Sequence, residues 1–356
     1  MKESLDLLLN LIKIYSPSRN ERKASEYLSN WMKKKGFRTW VDEVGNCIGQ
    51  IGNGRFHLFL LGHIDTVEGE IPIRIENNNL YGRGSVDAKG PLCAFAFAAS
   101  QFINYADLTI TVAGAVEEEA ATSKGARFLL KNFTPNAVII GEPSGWEAIT
   151  LGYKGRLLMN YHISTPMTHS ASDSKTPGEI AFDMWSKIQN YCANFNKNKK
   201  MFDQINPSIR SINSGKDYLV QWIDMVIGFR LPLGFDIESF KELIYDWAKG
   251  AKINFYGEEK AFKADKKNNP LVTAFNRAIK EDGGRALYKV KSGTSDMNVV
   301  GPVWECPIVA YGPGDSSLDH TPNEHININE YYKSINILRK VIKIYGEISL
   351  VHMKSD

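Results

Sequence analysis

Apolar residues recur along this chain in two rhythms. Near the start, Leu5, Leu8, Leu9 and Ile12 keep the three-to-four-residue spacing of one helix face, and residues 3–35 read as one or two amphipathic helices. Short apolar runs then follow: NCIGQI (46–51), FHLFLL (56–61), LTITVAGAV (108–116) and NAVIIGEP (136–143), each read as a strand. Between them, GPLCAFAFAASQFINY (90–105) is rich in Ala and Phe and reads as a buried helix. Helices alternating with short apolar strands predict an α/β sheet with helices on both faces. In such sheets, ligands collect beyond the carboxyl ends of the strands.

The texture changes near residue 151. GRLLMNYHIST (155–165) reads as a strand and TPGEIAFDMWSKIQNYCANF (176–195) as a helix. DYLVQWIDMVIGFRLP (217–232) reads as strand-like runs, DIESFKELIYDWAK (236–249) as a helix and AKINFYG (251–257) as a strand. Such an α+β unit can fold separately. It predicts an inserted domain over 152–264, between the two halves, 1–151 and 265–356, of a larger domain.

Composition narrows the function classes. With 356 residues, two domains are expected, and 43% hydrophobic and 23% charged residues suit an ordinary globular protein. A net charge of +3 argues against a nucleic-acid binder. The one local basic run, NKNKK at 196–200, reads as a solvated loop. Cys47, Cys93, Cys192 and Cys306 are scattered without a CxxC pair, so neither a disulfide framework nor a thiolate zinc site is expected. The N-terminal segment lacks a signal-peptide pattern and no run reaches the roughly 18 apolar residues of a membrane span. A cytoplasmic protein is expected.

The polar residues with chemical promise sit where strands end. His63 and Asp65 follow FHLFLL, and on an extended segment residues two apart point the same way, so a carboxylate can hold the imidazole. Asp87 lies in the glycine-rich YGRGSVDAKG, whose spacing does not fit a dinucleotide loop. Glu117, Glu118 and Glu119 follow LTITVAGAV without a gap, Glu142 follows AVII, and GDSSLDHTPNEHI adds His320, Glu324 and His325. Three adjacent carboxylates at the end of a core strand repel unless positive charge compensates them. Imidazole and carboxylate donors without thiolates suit zinc, manganese or cobalt, and a pair of such ions would supply that charge.

Taken in order, GHIDTV, GRGSVDAKG, EEE, GEPS, THSAS, GFRLP, SGTSDMN and GPGDSSLDHTPNEHI make the chain resemble the M20 metallopeptidase family. That family includes acetylornithine deacetylase, succinyl-diaminopimelate desuccinylase and carboxypeptidase G2. The resemblance implies a zinc-peptidase-like catalytic domain, its mixed sheet flanked by helices, plus an inserted α+β lid and dimerisation domain. It implies that His63, Asp87 and Glu142 hold one of two divalent ions, zinc first and cobalt or manganese next. Asp87 would bridge to a second ion held by Glu118 and His320. Asp65 would orient His63, and Glu117 would be the general base. The family usually shows two acids where this chain has three, so Glu118 and Glu119 form the alternative pair. Glu117 and Glu118 are preferred because they continue the strand register from Val116. His169 resembles the lid histidine that reaches a partner subunit's active site in a homodimer. Arg230 resembles a carboxylate-binding arginine, and Ser292, Gly293, Thr294 and Ser295 a substrate loop.

Within the family, SGTSDMNVVGP and YGPGDSSLDHTPNEHI look most like the hydrolases of archaeal and Thermus-type lysine biosynthesis. These release lysine or ornithine from the C-terminal glutamate of an acidic amino-group carrier protein. Lys197, Lys199 and Lys200 would suit such a partner by electrostatic steering. A small-molecule deacylase acting on acetylornithine or acetyl-lysine is the nearest rival. A non-catalytic binding protein that kept the fold and a nucleotide-binding enzyme are more remote.

Overall fold

A computed structural model describes residues 1–105, 108–169 and 173–353, with side chains described to residue 350. Two compact units are present. The larger comprises Met1–Gly152, Lys263–Val290 and Ser295 onward; the smaller comprises Tyr153–Phe262 and Lys291–Thr294. The junctions fall one residue after 151/152 and two residues before 264/265. The run 291–294 groups with the smaller unit, which no sequence pattern anticipates.

In the larger unit the apolar runs become the strands Cys47–Ile51, Phe56–His63, Leu108–Ala115 and Ala137–Ile140. Phe56–His63 runs parallel between Leu108–Ala115 and Ala137–Ile140, with His63 level with Ala115 and Leu61 level with Ile140. Ile308–Ala310 extends the parallel side, while Cys47–Ile51 and then Arg38–Val41 add antiparallel strands at the other end. Parallel strands need cover on both faces. The helix Lys89–Ala99 packs on Phe56–His63 and Leu108–Ala115, and every one of its residues is buried. That burial explains its Ala- and Phe-rich composition, since each fully buried Phe or Leu contributes about 1.5–3 kcal/mol; its one charged residue, Lys89, is buried while donating to the Leu11 and Ile14 carbonyls. Lys2–Ile12 and Ile328–Met353 pack against this helix in turn. A small sheet of Arg74–Glu76, Asn79–Tyr81 and His325–Asn327 was not anticipated; its three-residue strands are too short to show a period.

The smaller unit holds an antiparallel sheet in the order Asn206–Lys216, Val220–Leu231, Gly155–Pro166, Lys252–Glu259. Alternate residues Leu157, Met159, Tyr161 and Ile163 join Ile223, Met225, Ile227 and Phe229 in a separate core with Met184, Ile188, Phe240 and Ile244. Those last four come from two helices, Pro177–Phe195 and Ile237–Trp247. Thr176 caps the first through a reciprocal box: its hydroxyl accepts from the Glu179 amide at 3.3 Å, and Glu179 accepts from the Thr176 amide at 2.8 Å. Asp236 caps the second by accepting from the Ser239 amide at 3.1 Å. The edge strand Asn206–Lys216 escaped sequence reading because it is polar and largely exposed.

Candidate metal centre

Every residue of the centre described here lies in the larger unit: His63 and the glutamate turn at the carboxyl ends of its parallel strands, Asp87 and His320 on turns. His63 closes the strand Phe56–His63 and is buried. Its Nδ1 faces the Asp65 carbonyl oxygen at 3.0 Å and the Asp65 carboxylate at 3.4 Å. Its Nε2 lies 3.2 Å from Oδ1 of Asp87, just before the helix Lys89–Ala99. The other Asp87 oxygen, Oδ2, is 3.0 Å from Nε2 of His320, which is also 2.9 Å from Oε1 of Glu119. Asp87 therefore stands between two imidazoles, one oxygen turned to each.

The three glutamates fall out differently from the preferred sequence reading. The strand ends at Ala115, and Glu117 takes a left-handed φ of 56°, so strand register does not carry into the acids. The Glu117 carboxylate turns to the Thr122 hydroxyl at 2.7 Å and to Lys124 Nζ at 3.5 Å. Donor atoms of His63, Glu118 and Glu119 gather within 4.8 Å of one another, as do those of Asp87, Glu119 and His320. The geometry thus favours the alternative pair, Glu118 with Glu119, over Glu117 with Glu118, and it is Glu119 that meets His320.

Residues distant in sequence impose this turn. Asp65 accepts from the amides of Glu118 at 3.1 Å and Glu119 at 3.0 Å, and from the Ser18 hydroxyl at 2.7 Å. Glu21 accepts from the Glu117 amide at 3.2 Å, and buried Asn46 accepts from the Val116 amide at 3.0 Å. The Gly125 amide then donates to the Val116 carbonyl at 3.0 Å. A Cβ on Gly125 would sit 2.4 Å from the Asn46 Oδ1 and 2.5 Å from the Val116 nitrogen, so only glycine closes this loop. Ser18, Glu21 and Asn46 carry no periodic signal and were missed; only tertiary pairing reveals them.

Charges in the centre act strongly on one another. Burial pushes the Glu118 carboxyl well above its usual range; His63 opposes this, and the like charges of Glu142, Asp296 and Glu119 reinforce it. Burial and then Asp87 push Glu119 up to about 7. Burial disfavours charge on both His63 and Asp87, yet their hydrogen bonds outweigh it. Asp65 and Asp87 hold His63 well above its ordinary value, and His320 and His63 hold Asp87 well below its own. Hydrogen bonds to Asp87 and Glu119 raise His320 to about 10.

Two imidazoles and three carboxylates converge here, nitrogen and oxygen donors without a thiolate, which suits divalent zinc, cobalt or manganese. A carboxylate with its two oxygens aimed at different histidines is what sharing between neighbouring ions requires. The residues present therefore fit a metal pair. Glu142 lies two residues beyond the strand Ala137–Ile140 and is buried. Its donor atoms are not in either gathered group, though Glu118 feels its charge.

The remaining predicted residues lie mostly in the smaller unit. Arg230, on the strand Val220–Leu231, donates to the Thr294 hydroxyl at 3.0 Å, which brings the arginine and the substrate-loop segment together. Ser292 and Gly293 precede it, and open space surrounds the position of a Gly293 Cβ. Ser295 belongs to the larger unit, where its hydroxyl caps the helix Asp296–Trp304 by accepting from the Met297 amide at 3.2 Å. His169 is exposed, three residues past the strand Gly155–Pro166; residues 170–172 of the THSAS motif lie outside the described residues. Among the described residues, no helix is long and apolar enough to cross a membrane.

The chain is 39% identical over 346 residues to the LysW-lysine hydrolase of Deinococcus radiodurans, with 95% of each chain covered. It is 32% identical over 336 residues to the LysW-lysine/LysW-ornithine hydrolase of Saccharolobus islandicus, covering 93% of this chain and 92% of that one. Its fold matches an M20 family metallo-carboxypeptidase from Sulfolobus solfataricus with a TM-score of 0.80 at 20% identity, covering 97% of this chain and 100% of that one. It also matches a Bacillus subtilis dinuclear metal binding peptidase of the M20 family, with a TM-score of 0.65 at 14% identity and coverage of 96% and 98%. The model of peptidase family M20/M25/M40 matches residues 59–344, which takes in His63, the glutamate turn and His320; the chain belongs to that family.

Proposed function

We propose that this chain is a two-metal amide hydrolase that releases lysine or ornithine from the C-terminal glutamate of an acidic LysW-type carrier protein. The observation that carries the chemistry is Asp87, set between His63 and His320 at 3.2 and 3.0 Å. The substrate class is supported by the hydrolase names of relatives aligned over nearly the whole chain. His63, Asp87 and Glu142 hold one ion; Asp87, Glu119 and His320 hold the other. Zinc suits the donor set first, cobalt or manganese next. When bound, such ions polarise a scissile carbonyl and acidify water. Glu118 takes the proton from the attacking water and returns it to the leaving α-amine. Asp65 fixes the His63 ring and, through two amides, the position of Glu118 and Glu119. Arg230 takes a substrate carboxylate through its planar fork, beside Ser292, Gly293 and Thr294. Lys197, Lys199 and Lys200 steer the acidic carrier, and the reaction takes place in the cytoplasm.

Dialysis against a chelator is expected to abolish hydrolysis of a carrier–lysine conjugate, and zinc or cobalt to restore it. Full activity in protein shown metal-free by elemental analysis would end the two-metal reading. By mass spectrometry of released lysine, the conjugate is expected to exceed N-acetyl-lysine and N-acetylornithine in kcat/KM. The reverse order would move the function to small-molecule deacylation.

His169 is assigned to the tetrahedral oxyanion of a partner subunit's site within a homodimer. Removing one oxyanion donor costs about 10²–10³-fold in turnover. His169→Ala is expected to show that loss with its metals intact. Mixed with Glu118→Gln subunits, it is expected to regain activity, because a hybrid dimer unites one intact base with one intact histidine. Absence of recovery after proven subunit exchange, or a monomer at every working concentration, refutes action in trans.

A further inference from the structure

One buried ion pair beside the metal centre has no part in the chemistry above. Glu324 is fully buried, and its carboxylate is saturated with donors. Oε1 accepts from the amides of Val86 at 2.9 Å and Asp87 at 3.1 Å, while Oε2 meets Arg83 Nη1 at 2.8 Å. The Arg83 side chain is only 10% exposed. Its Nε donates to the Gly69 carbonyl at 2.9 Å and its Nη1 to the Thr321 carbonyl at 3.4 Å. The backbone doubles the link: the Gly82 amide donates to the Glu324 carbonyl at 3.3 Å, and Tyr81 pairs with His325 across the small sheet.

A buried ion pair is a poor means of stabilising a fold, because desolvation offsets most of the attraction. This one does something else: it spans the two loops that deliver Asp87 and His320. One carboxylate grips the amide of Asp87 itself, and the arginine it holds reaches the carbonyl of Thr321, the residue after His320. We infer that Arg83 and Glu324 form a positioning clamp that sets Asp87 between the two histidines and so governs uptake of the metal pair. The inference rests on the two-metal reading above. Neither residue touches the reacting atoms, and their effect passes through the placement of Asp87 and His320.

Zinc titration of the metal-free full-length protein against a competing chromophoric chelator tests this. Charge alone makes opposite predictions for the two partners. Glu324→Gln removes a negative charge and would weaken zinc binding; Arg83→Met removes a positive charge and would tighten it. A clamp predicts that both weaken it, by the 10–100-fold (about) typical of residues that orient metal ligands. It also predicts that the double variant is no worse than the more affected single one. Zinc affinity equal to or tighter than wild type in Arg83→Met overturns the clamp. If Arg83→Met does not fold, as judged by thermal unfolding of the metal-free form, Arg83→Lys decides. It keeps the charge but loses the fork that reaches Gly69, Thr321 and Glu324 together. The clamp predicts weaker zinc binding, and unchanged binding overturns it. A wild-type protein that takes up no zinc refutes the two-metal reading and this inference together. Two equivalents bound by wild type and variants alike remove the clamp alone.

Discussion

Glu118→Gln is expected to lower turnover by about 10²–10⁴-fold while both metal ions stay bound. The amide keeps the size of the side chain but cannot accept the proton that the attacking water must lose. Its neighbours on either side predict different outcomes. Glu119 lies 2.9 Å from His320 and belongs to both donor groups, so Glu119→Gln is expected to lose metal as well as activity. Glu117 is turned away to Thr122 and Lys124, so Glu117→Gln removes local contacts only. One hydrogen bond is worth about 1 kcal/mol, so that variant is expected to melt slightly earlier and to keep most of its turnover. Metal content by elemental analysis beside kcat separates the three. A metal-loaded, inactive Glu117→Gln would return the base to the position that strand register favoured.

Strand register and the structure point to different acids. LTITVAGAV reads as a strand and is one, and alternation carried one step further puts Glu117 and Glu118 in the active positions. What breaks the alternation is a left-handed residue at 117, held by Glu21, Asn46 and Asp65 from 50 or more residues away. No local pattern contains those partners. His63, Asp87 and His320, each of which follows or borders a motif distinctive in its order along the chain, come together in the structure. Glu142, the first acid after a strand that is buried throughout, lies outside both gathered donor groups. The texture that changes near residue 151 corresponds to the strands and helices of the smaller unit, whose two helices are capped by Thr176 and Asp236. Its polar edge strand Asn206–Lys216 was not legible in the sequence, because alternation disappears where neither face is buried. In the sequence, Glu324 is only one more acid near His320. Its burial and its grip on the Asp87 amide depend on the loop of residues 82–87 coming back across the small sheet.

Asp87→Asn is expected to have the largest effect of any single change, with both metal ions lost and activity falling further than in Glu118→Gln. Asn keeps the shape and one acceptor oxygen, but its nitrogen turns a donor toward one of the two histidines, and the negative charge that two neighbouring cations would share is gone. The metal-free protein gives a second readout. There His320 is raised to about 10 from an ordinary value near 6.5, first by Asp87 and then by Glu119. A histidine raised by folding contributes stability that is fully present below the unfolded value and is lost as pH rises through the folded one. The melting temperature of the metal-free wild type is therefore expected to fall between about pH 6.5 and about pH 10 through this group. Asp87→Asn removes the first cause of the shift, so His320 should release its proton at lower pH and this decline should flatten. Zinc needs the neutral imidazole, so wild-type zinc affinity is expected to climb across the same window. Elemental analysis and proton NMR of the His320 ring check both halves. One tightly held zinc in Asp87→Asn, with His320 still titrating near 10, would show that Asp87 neither bridges two ions nor holds the histidine.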